Sequence, residues 1–393
     1  MNDDRSSARP ETDDAPLRGV KVLDLTSVIM GPTCTQILAD HGAEIVKIEP
    51  PEGDIMRHAG AKPEPGMGSM FVHVNRGKRS VVLDLKKADQ RAALLARVGE
   101  YDVFVHNMRP EAAARLDIGY EAISGLNPSV VYVELSGYGL DGPYADRPAF
   151  DDIIQAQSGL SALLGASSDG QPRYLPALIA DRLTGMNAAQ RVLAALFRRE
   201  RTGTGSRINV AMFETMAAFV LADHLGGRSF EPQVGPLGYN RLLSPFRRPY
   251  RTSDGYIAVI IYNDKHWRSF FDLIGRSDIY ADDLRFSDAG ARAENYDFVY
   301  SYVAEMFAVA STADWLSRLG AADIPCAPVN SLESLIDDPH LEKVGFFREV
   351  ADAAGAGAFR LMPPMGSAAA LAPPRRGEHS EEFLMDTSTA KAV

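Results

Sequence analysis

VKVLDLTSVIMGPTCTQILADHGAEIVKIE, residues 20–49, decides the fold class. VKVLDL (Val20–Leu25) is short and mostly apolar, the composition of a strand covered on both faces. TSVIMGP then reads as a loop, TCTQILADHG as a helix closed by Gly42, and AEIVKIE as the next strand. The pattern continues with strands at RSVVLDL (79–85), DVFVHN (102–107) and SVVYVELSG (129–137), and an amphipathic helix at DQRAALLARVGEY (89–101). Alternating short strands and helices predict an α/β protein, a mostly parallel sheet with helices on its faces.

Beyond the sheet, AFDDIIQAQSGLSALLG (149–165) has helical periodicity. LIADRLTGMNAAQRVLAALFRRERTGTGSRINV (178–210) holds a short apolar lead, an aspartate, an amphipathic helix stopped by Gly203 and Gly205, and a further strand. Residues 228–250 are rich in Pro, Gly and Arg and read as a linker; a smaller domain of strand YIAVIIY and several helices follows over 251–330. The expected division is a polar, disordered tail (1–15), a large domain (16–227), that linker, the small domain, and a second linker with a return to the large domain (331–393).

At 393 residues the chain exceeds what one hydrophobic core serves, so two domains are expected. A net charge of -11 argues against a general nucleic-acid binder. Two cysteines cannot build a disulfide framework and suit a reducing cytoplasm. No run approaches the roughly 20 apolar residues of a membrane span, so no membrane partner is expected. The loop SVIMGPTC has neither GxGxxG nor a P-loop pattern, which disfavours NAD, FAD and ATP by the usual loops. None of the eight histidines pairs at i,i+4 and no CxxC occurs, so no metal site is expected.

Asp181 opens the long helix, where unpaired N–H groups and the helix dipole favour an ionised carboxylate. It reads either as an N-cap or as a nucleophile. Arg76, Lys78, Arg79, Lys86, Arg109 and Arg115 lie near the sheet and read as a solvated basic face or as a local anion site.

Taken in order, five segments resemble the class III CoA-transferases of the CaiB–BaiF type: residues 17–54, NRGKRSVVLDLK, VHNMRPEAAARLDIGYEAI, LSGYGLDGPYADRPAFDDIIQAQSGL and the Asp181 segment. IPCAPVNSLESLIDDPHL adds a second-half match. The resemblance implies a Rossmann-like large domain, a smaller α+β domain on long linkers, and an interlocked homodimer. It implies an acyl-CoA:carboxylate CoA-transferase with Asp181 as nucleophile, acyl-CoA and a small carboxylic acid as substrates, and no tightly bound cofactor. By matched position it implies CoA contacts at Ser27, Ile29, Met30, Leu83, Lys86, Asn107, Met108, Arg115, Ser136 and Tyr138.

The chain also departs from parts of that pattern. Ile29 stands where formyl-CoA transferases carry glutamine, and GPLGYNRLLSPFRR replaces their glycine-run lid, which argues against oxalate and for a more apolar acyl group. Phe150 stands where related α-methylacyl-CoA racemases carry histidine. A racemase and a CoA-ester binding protein without turnover remain the alternatives. Arg241, Arg247 and Arg248 suggest a second carboxylate on the substrate.

Overall fold

A computed structural model describes residues 14–352, 357–364, 366 and 369–385. Residues 1–13 of the expected tail lie outside them. Six strands form one parallel sheet in the order β3-β2-β1-β4-β5-β6: β1 (Lys21–Leu25), β2 (Glu44–Glu49), β3 (Arg79–Val82), β4 (Val103–His106), β5 (Val131–Ser136) and β6 (Ser206–Ala211). This order reverses direction between β1 and β4, and open α/β sheets place ligands in the crevice at that point, outside the strands' carboxyl ends. Leu25 pairs with His106, so the loops after both strands leave the sheet side by side.

Helices α1 (Met30–Asp40), α2 (Ser69–Asn75), α3 (Ala88–Leu95), α4 (Pro110–Arg115), α5 (Tyr120–Leu126), α6 (Asp151–Gln157), α7 (Leu160–Ala166), α8 (Ile179–Thr202) and α9 (Met212–His224) belong to this half of the chain. Two boundaries differ from the sequence reading. The first helix starts at Met30 rather than after Pro32, because proline is tolerated in a helix's first turn, where its missing N–H would be unbonded anyway. Residues 149–165 form two helices, because Gly159 takes a left-handed φ of 89° between them.

The chain divides into two compact units. The first comprises residues 1–158, 175–218 and 342–393; the second comprises 159–174 and 219–341. The second therefore takes in residues 228–250, and it includes a segment ahead of Asp181. In the first unit, Leu23, Val46, Val81, Phe104 and Tyr132 form a buried core beneath one sheet face. Each such large apolar side chain contributes about 1.5–3 kcal/mol on burial.

The second unit contains α10 (Asn240–Leu243), β7 (Tyr250–Arg251), β8 (Tyr256–Val259), α11 (Asp264–Leu273), α12 (Ser277–Asp282), α13 (Ala289–Glu294), α14 (Tyr296–Phe307), α15 (Thr312–Ala321), β9 (Cys326–Pro328), α16 (Leu332–Ile336) and, straddling its end, α17 (Pro339–Lys343). Its strands form an antiparallel sheet, β7-β8-β9. Trp267, Phe270, Phe271, Phe286, Phe307 and Trp315 fill its core. The chain then returns to the first unit through a hairpin, β10 (Arg348–Ala351) and β11 (Ala358–Leu361), and α18 (Ser380–Met385). There the Val82 N–H donates to Ser380 Oγ at 2.9 Å, and Phe383 joins the sheet core.

Candidate active site

Asp181 occupies the third position of α8 and is buried, 8% exposed. Its backbone N–H donates to Asp151 Oδ1 at 2.9 Å. Asp151 opens α6, is itself buried, and accepts Gln155 Nε2 on its other oxygen at 2.6 Å. Burial pushes the Asp181 carboxyl up to about 7, the Asp151 charge adds to the rise, and Arg182 and a hydrogen bond from the Met30 backbone N–H oppose it. The helix terminus therefore does not keep this group fully ionised at neutral pH, as the sequence had suggested. Desolvation of the anion outweighs the dipole.

The Met30 amide is brought to Asp181 by a tightly held loop. Thr26 N–H and Oγ1 both donate to Asp24 Oδ1, at 2.9 and 2.6 Å. Ser27 and Asn107 exchange two hydrogen bonds, Ser27 N–H to Asn107 Oδ1 at 3.0 Å and Asn107 Nδ2 to Ser27 O at 2.9 Å. This ties the loop after β1 to the loop after β4. Val28, whose N–H donates to Asp54 Oδ1 at 3.3 Å, is held at φ 71°. A β-branched residue there is strained, and such strain concentrates at functional sites. Helix α1 packs on α8 so closely that a Cβ on Gly185 would lie 2.5 Å from Met30 O.

The same loop lines a cavity of about 580 Å³ at the sheet's reversal point, with Ser27, Leu83, Lys86, Asn107 and Met108 on its wall. His106, beneath it, is buried and held neutral, its pKa lowered to about 4 by burial. Tyr132 Oη donates to Ile118 O at 2.9 Å, so the His106 Nε2–H donates to Tyr132 Oη at 2.7 Å. This leaves Nδ1 free to accept the Met108 N–H at 3.3 Å. A neutral imidazole thus fixes the backbone of a wall residue.

Of the six basic residues singled out from the sequence, Lys86 alone lines this cavity; Lys47 of β2 lines it too, buried and paired with Asp54 at 3.0 Å. Lys78 is buried and donates to Asp24, Thr35, Asn75 and Pro32 O; burial lowers it to about 8. Arg76 is buried in a two-oxygen pair with Asp40, and Arg79 pairs with Glu382. These three form neither a solvated face nor an open anion site, because carboxylates distant in sequence meet them. Arg109 is exposed. Among the described residues, no group of three or more His, Cys, Asp or Glu could hold a metal ion, and no helix is long and apolar enough to cross a membrane.

The family model for CoA-transferase family III matches residues 17–380. The chain belongs to CoA-transferase family III, and it is an enzyme of that class. It is 32% identical to the acyl-CoA transferase of Fusarium pseudograminearum, over 94% of this chain and 84% of the relative. It is 32% identical to the succinyl-CoA:mesaconate CoA-transferase of Haloarcula marismortui, over 95% and 98%. A CAIB/BAIF family protein from Brucella suis has a solved structure with TM-score 0.78 and 27% identity, over 95% of this chain and 99% of that one.

In this family III chain the ten residues matched to CoA contacts fall into three groups. Ser27, Leu83, Lys86, Asn107 and Met108 share the cavity. Ile29 and Met30 are buried at the start of α1, on the Asp181 side of the loop. Arg115, Ser136 and Tyr138 are not on the cavity wall. Arg115 is exposed, with Glu111 3.9 Å away. Ser136 Oγ donates to Tyr138 O at 2.8 Å, and the buried Tyr138 donates its hydroxyl to Gln157 at 2.6 Å, an arrangement that braces the loop after β5. Asp151 is absent from the site residues read from the sequence; its signals were its place after Phe150, where the related racemases carry histidine and then aspartate, and a carboxylate pair at the start of a helix.

Proposed function

We propose that the chain exchanges CoA between an acyl-CoA thioester and a free carboxylic acid, with Asp181 as the covalent nucleophile. The observation that carries this reading is a buried carboxylate beside the Met30 backbone N–H, at the start of the helix that follows the cavity-lining loop. The ionised Asp181 attacks the thioester carbonyl, the C–S bond breaks, and CoA thiolate leaves an aspartyl anhydride. The thiolate then attacks the aspartyl carbonyl and releases the donor acid, leaving an aspartyl-CoA thioester. The acceptor carboxylate attacks that thioester, expels the thiolate and forms a new anhydride. Thiolate attack on the acceptor's acyl carbon yields the new acyl-CoA and free Asp181. Splitting the exchange into covalent steps keeps each barrier low. Burial of Asp181 keeps water from the anhydride, and the Met30 N–H is a donor for the developing oxyanion.

In the cavity, Lys86 would attract the phosphates of CoA, and Leu83 and Met108 would pack against its apolar parts. Ile29 and Met30 favour an apolar acyl group. Phe150 offers no acid or base beside Asp151, which argues against a two-base racemase. Met186 and Phe197 on α8 and Phe219 and Leu221 on α9 are exposed in the single chain, which supports a dimer that covers them.

The test is mass spectrometry of the protein after incubation with succinyl-CoA or acetyl-CoA, with hydroxylamine trapping. A hydroxamate on the peptide holding Asp181, absent in Asp181→Asn, is expected. Exchange between acyl-CoA and acid that continues in Asp181→Asn would rule the route out.

A further inference from the structure

The second unit carries a cavity of about 710 Å³ walled entirely by its own residues. Helix α14 presents Tyr296 and Tyr300 one turn apart, with Val299 and Val303 beside them. The floor includes Ala258 and Val259 of β8 and Trp267 of α11. Tyr239, Arg241 and residues 247–250 contribute to the wall, and consecutive turns (Arg247 N–H to Ser244 O, Arg248 N–H to Phe246 O) bring two adjacent arginines to it. Arg241 joins them, its Nε donating to Tyr300 Oη at 3.0 Å.

The charge on this wall is unbalanced. It holds four arginines and one carboxylate, Asp264. Asp264 is already engaged by the buried Arg292. No carboxylate among the described residues forms an ion pair with Arg241, Arg247 or Arg248. Three uncompensated guanidinium groups on a concave, aromatic wall are unusual in a protein of net charge -11. They repel one another, and planar forked donors of this kind match carboxylate and phosphate oxygens. A single negative charge would leave two of the three unmatched.

We propose that this cavity binds a small organic dianion, a dicarboxylate or a phosphate ester, gripped by Arg241, Arg247 and Arg248 with its body against Trp267. The site stands independently of the CoA-exchange reading, because neither Asp181 nor the cavity at the sheet contributes to its wall.

The chain has two tryptophans. Trp315 is locked in the core with its Nε1–H on Phe307 O at 2.9 Å, so Trp267 is the reporter. The experiment is titration of tryptophan fluorescence of the full chain with succinate, inorganic phosphate and acetate at constant ionic strength. A saturable change with succinate or phosphate, retained in Asp181→Asn and lost in Trp267→Phe, is expected. The Arg247→Gln/Arg248→Gln variant, its fold checked by near-ultraviolet circular dichroism, should bind at least about tenfold more weakly. The corresponding double lysine variant, which keeps charge without the fork, should fall between. Response to succinate alone identifies a dicarboxylate, and response to phosphate alone a phosphate ester. No saturable response to either, an equal response to acetate, or unchanged binding in the double glutamine variant would overturn the proposal.

Discussion

Replacing Asp181 by Asn removes a buried negative charge while nearly preserving shape, and the structure sets how stability should respond. Its carboxyl rises from 3.8 to about 7, mostly through burial. That difference, 7 − 3.8 or about 3 units, corresponds to about 4 kcal/mol at 1.36 kcal/mol per unit. Between these values the folded chain keeps a proton that the unfolded chain has lost. Stability of the wild type therefore falls as pH rises through the window and levels off above about 7. Asparagine has no such proton. From pH 5 to pH 8 the variant's advantage should grow by about 2.5 kcal/mol. An unfolding entropy of about 2.1 cal/mol/K per residue, over the whole chain, makes this a relative rise in Tm of about 3 °C. Calorimetric melts of both proteins at the two pH values test it. A Tm difference that is the same at pH 5 and pH 8 would refute the claim that this carboxyl is ionised at a cost in the fold.

Asp151→Asn keeps an acceptor for the Asp181 N–H but removes the neighbouring charge, so the pH midpoint of the CoA-exchange rate, expected near 7 in the wild type if it follows Asp181, should drop by about one unit; an unmoved midpoint would assign the whole rise to burial. Lys86→Ala should raise KM for acyl-CoA about tenfold with little change in kcat, and added salt should narrow the gap between variant and wild type. Steady-state kinetics at two ionic strengths would decide it. Gly185→Ala puts a Cβ 2.5 Å from Met30 O and 2.8 Å from Thr33 Cβ, forcing α1 and α8 apart. Urea unfolding should show a loss of about 1–3 kcal/mol, and kcat should fall because the Met30 amide leaves Asp181.

Much of the sheet was legible because a buried parallel strand needs only a short apolar run, and such runs stand out at β1, β2, β4 and β5. The start of α1 was not, since Pro32 looks like a helix breaker until its place in the first turn is known. The position of Asp181 on a helix could be read locally. Its ionisation could not, because that depends on burial and on Asp151, thirty residues away. Sequence proximity of Arg76, Lys78 and Arg79 suggested one electropositive patch. Their partners Asp40, Asp24 and Glu382 come from three separate elements, and no local pattern announces such pairs.

By itself the sequence determined the α/β class, the family through its ordered motifs, and the aspartate at the head of the long helix, because periodicity, composition and motif order are local properties of the chain. Tertiary structure alone decided which candidates meet: Ser27 with Asn107, and the Met30 amide with Asp181. Those meetings follow from strand order and helix packing. Burial, which sets the charge of Asp181, is likewise a property of the folded surroundings rather than of the residue.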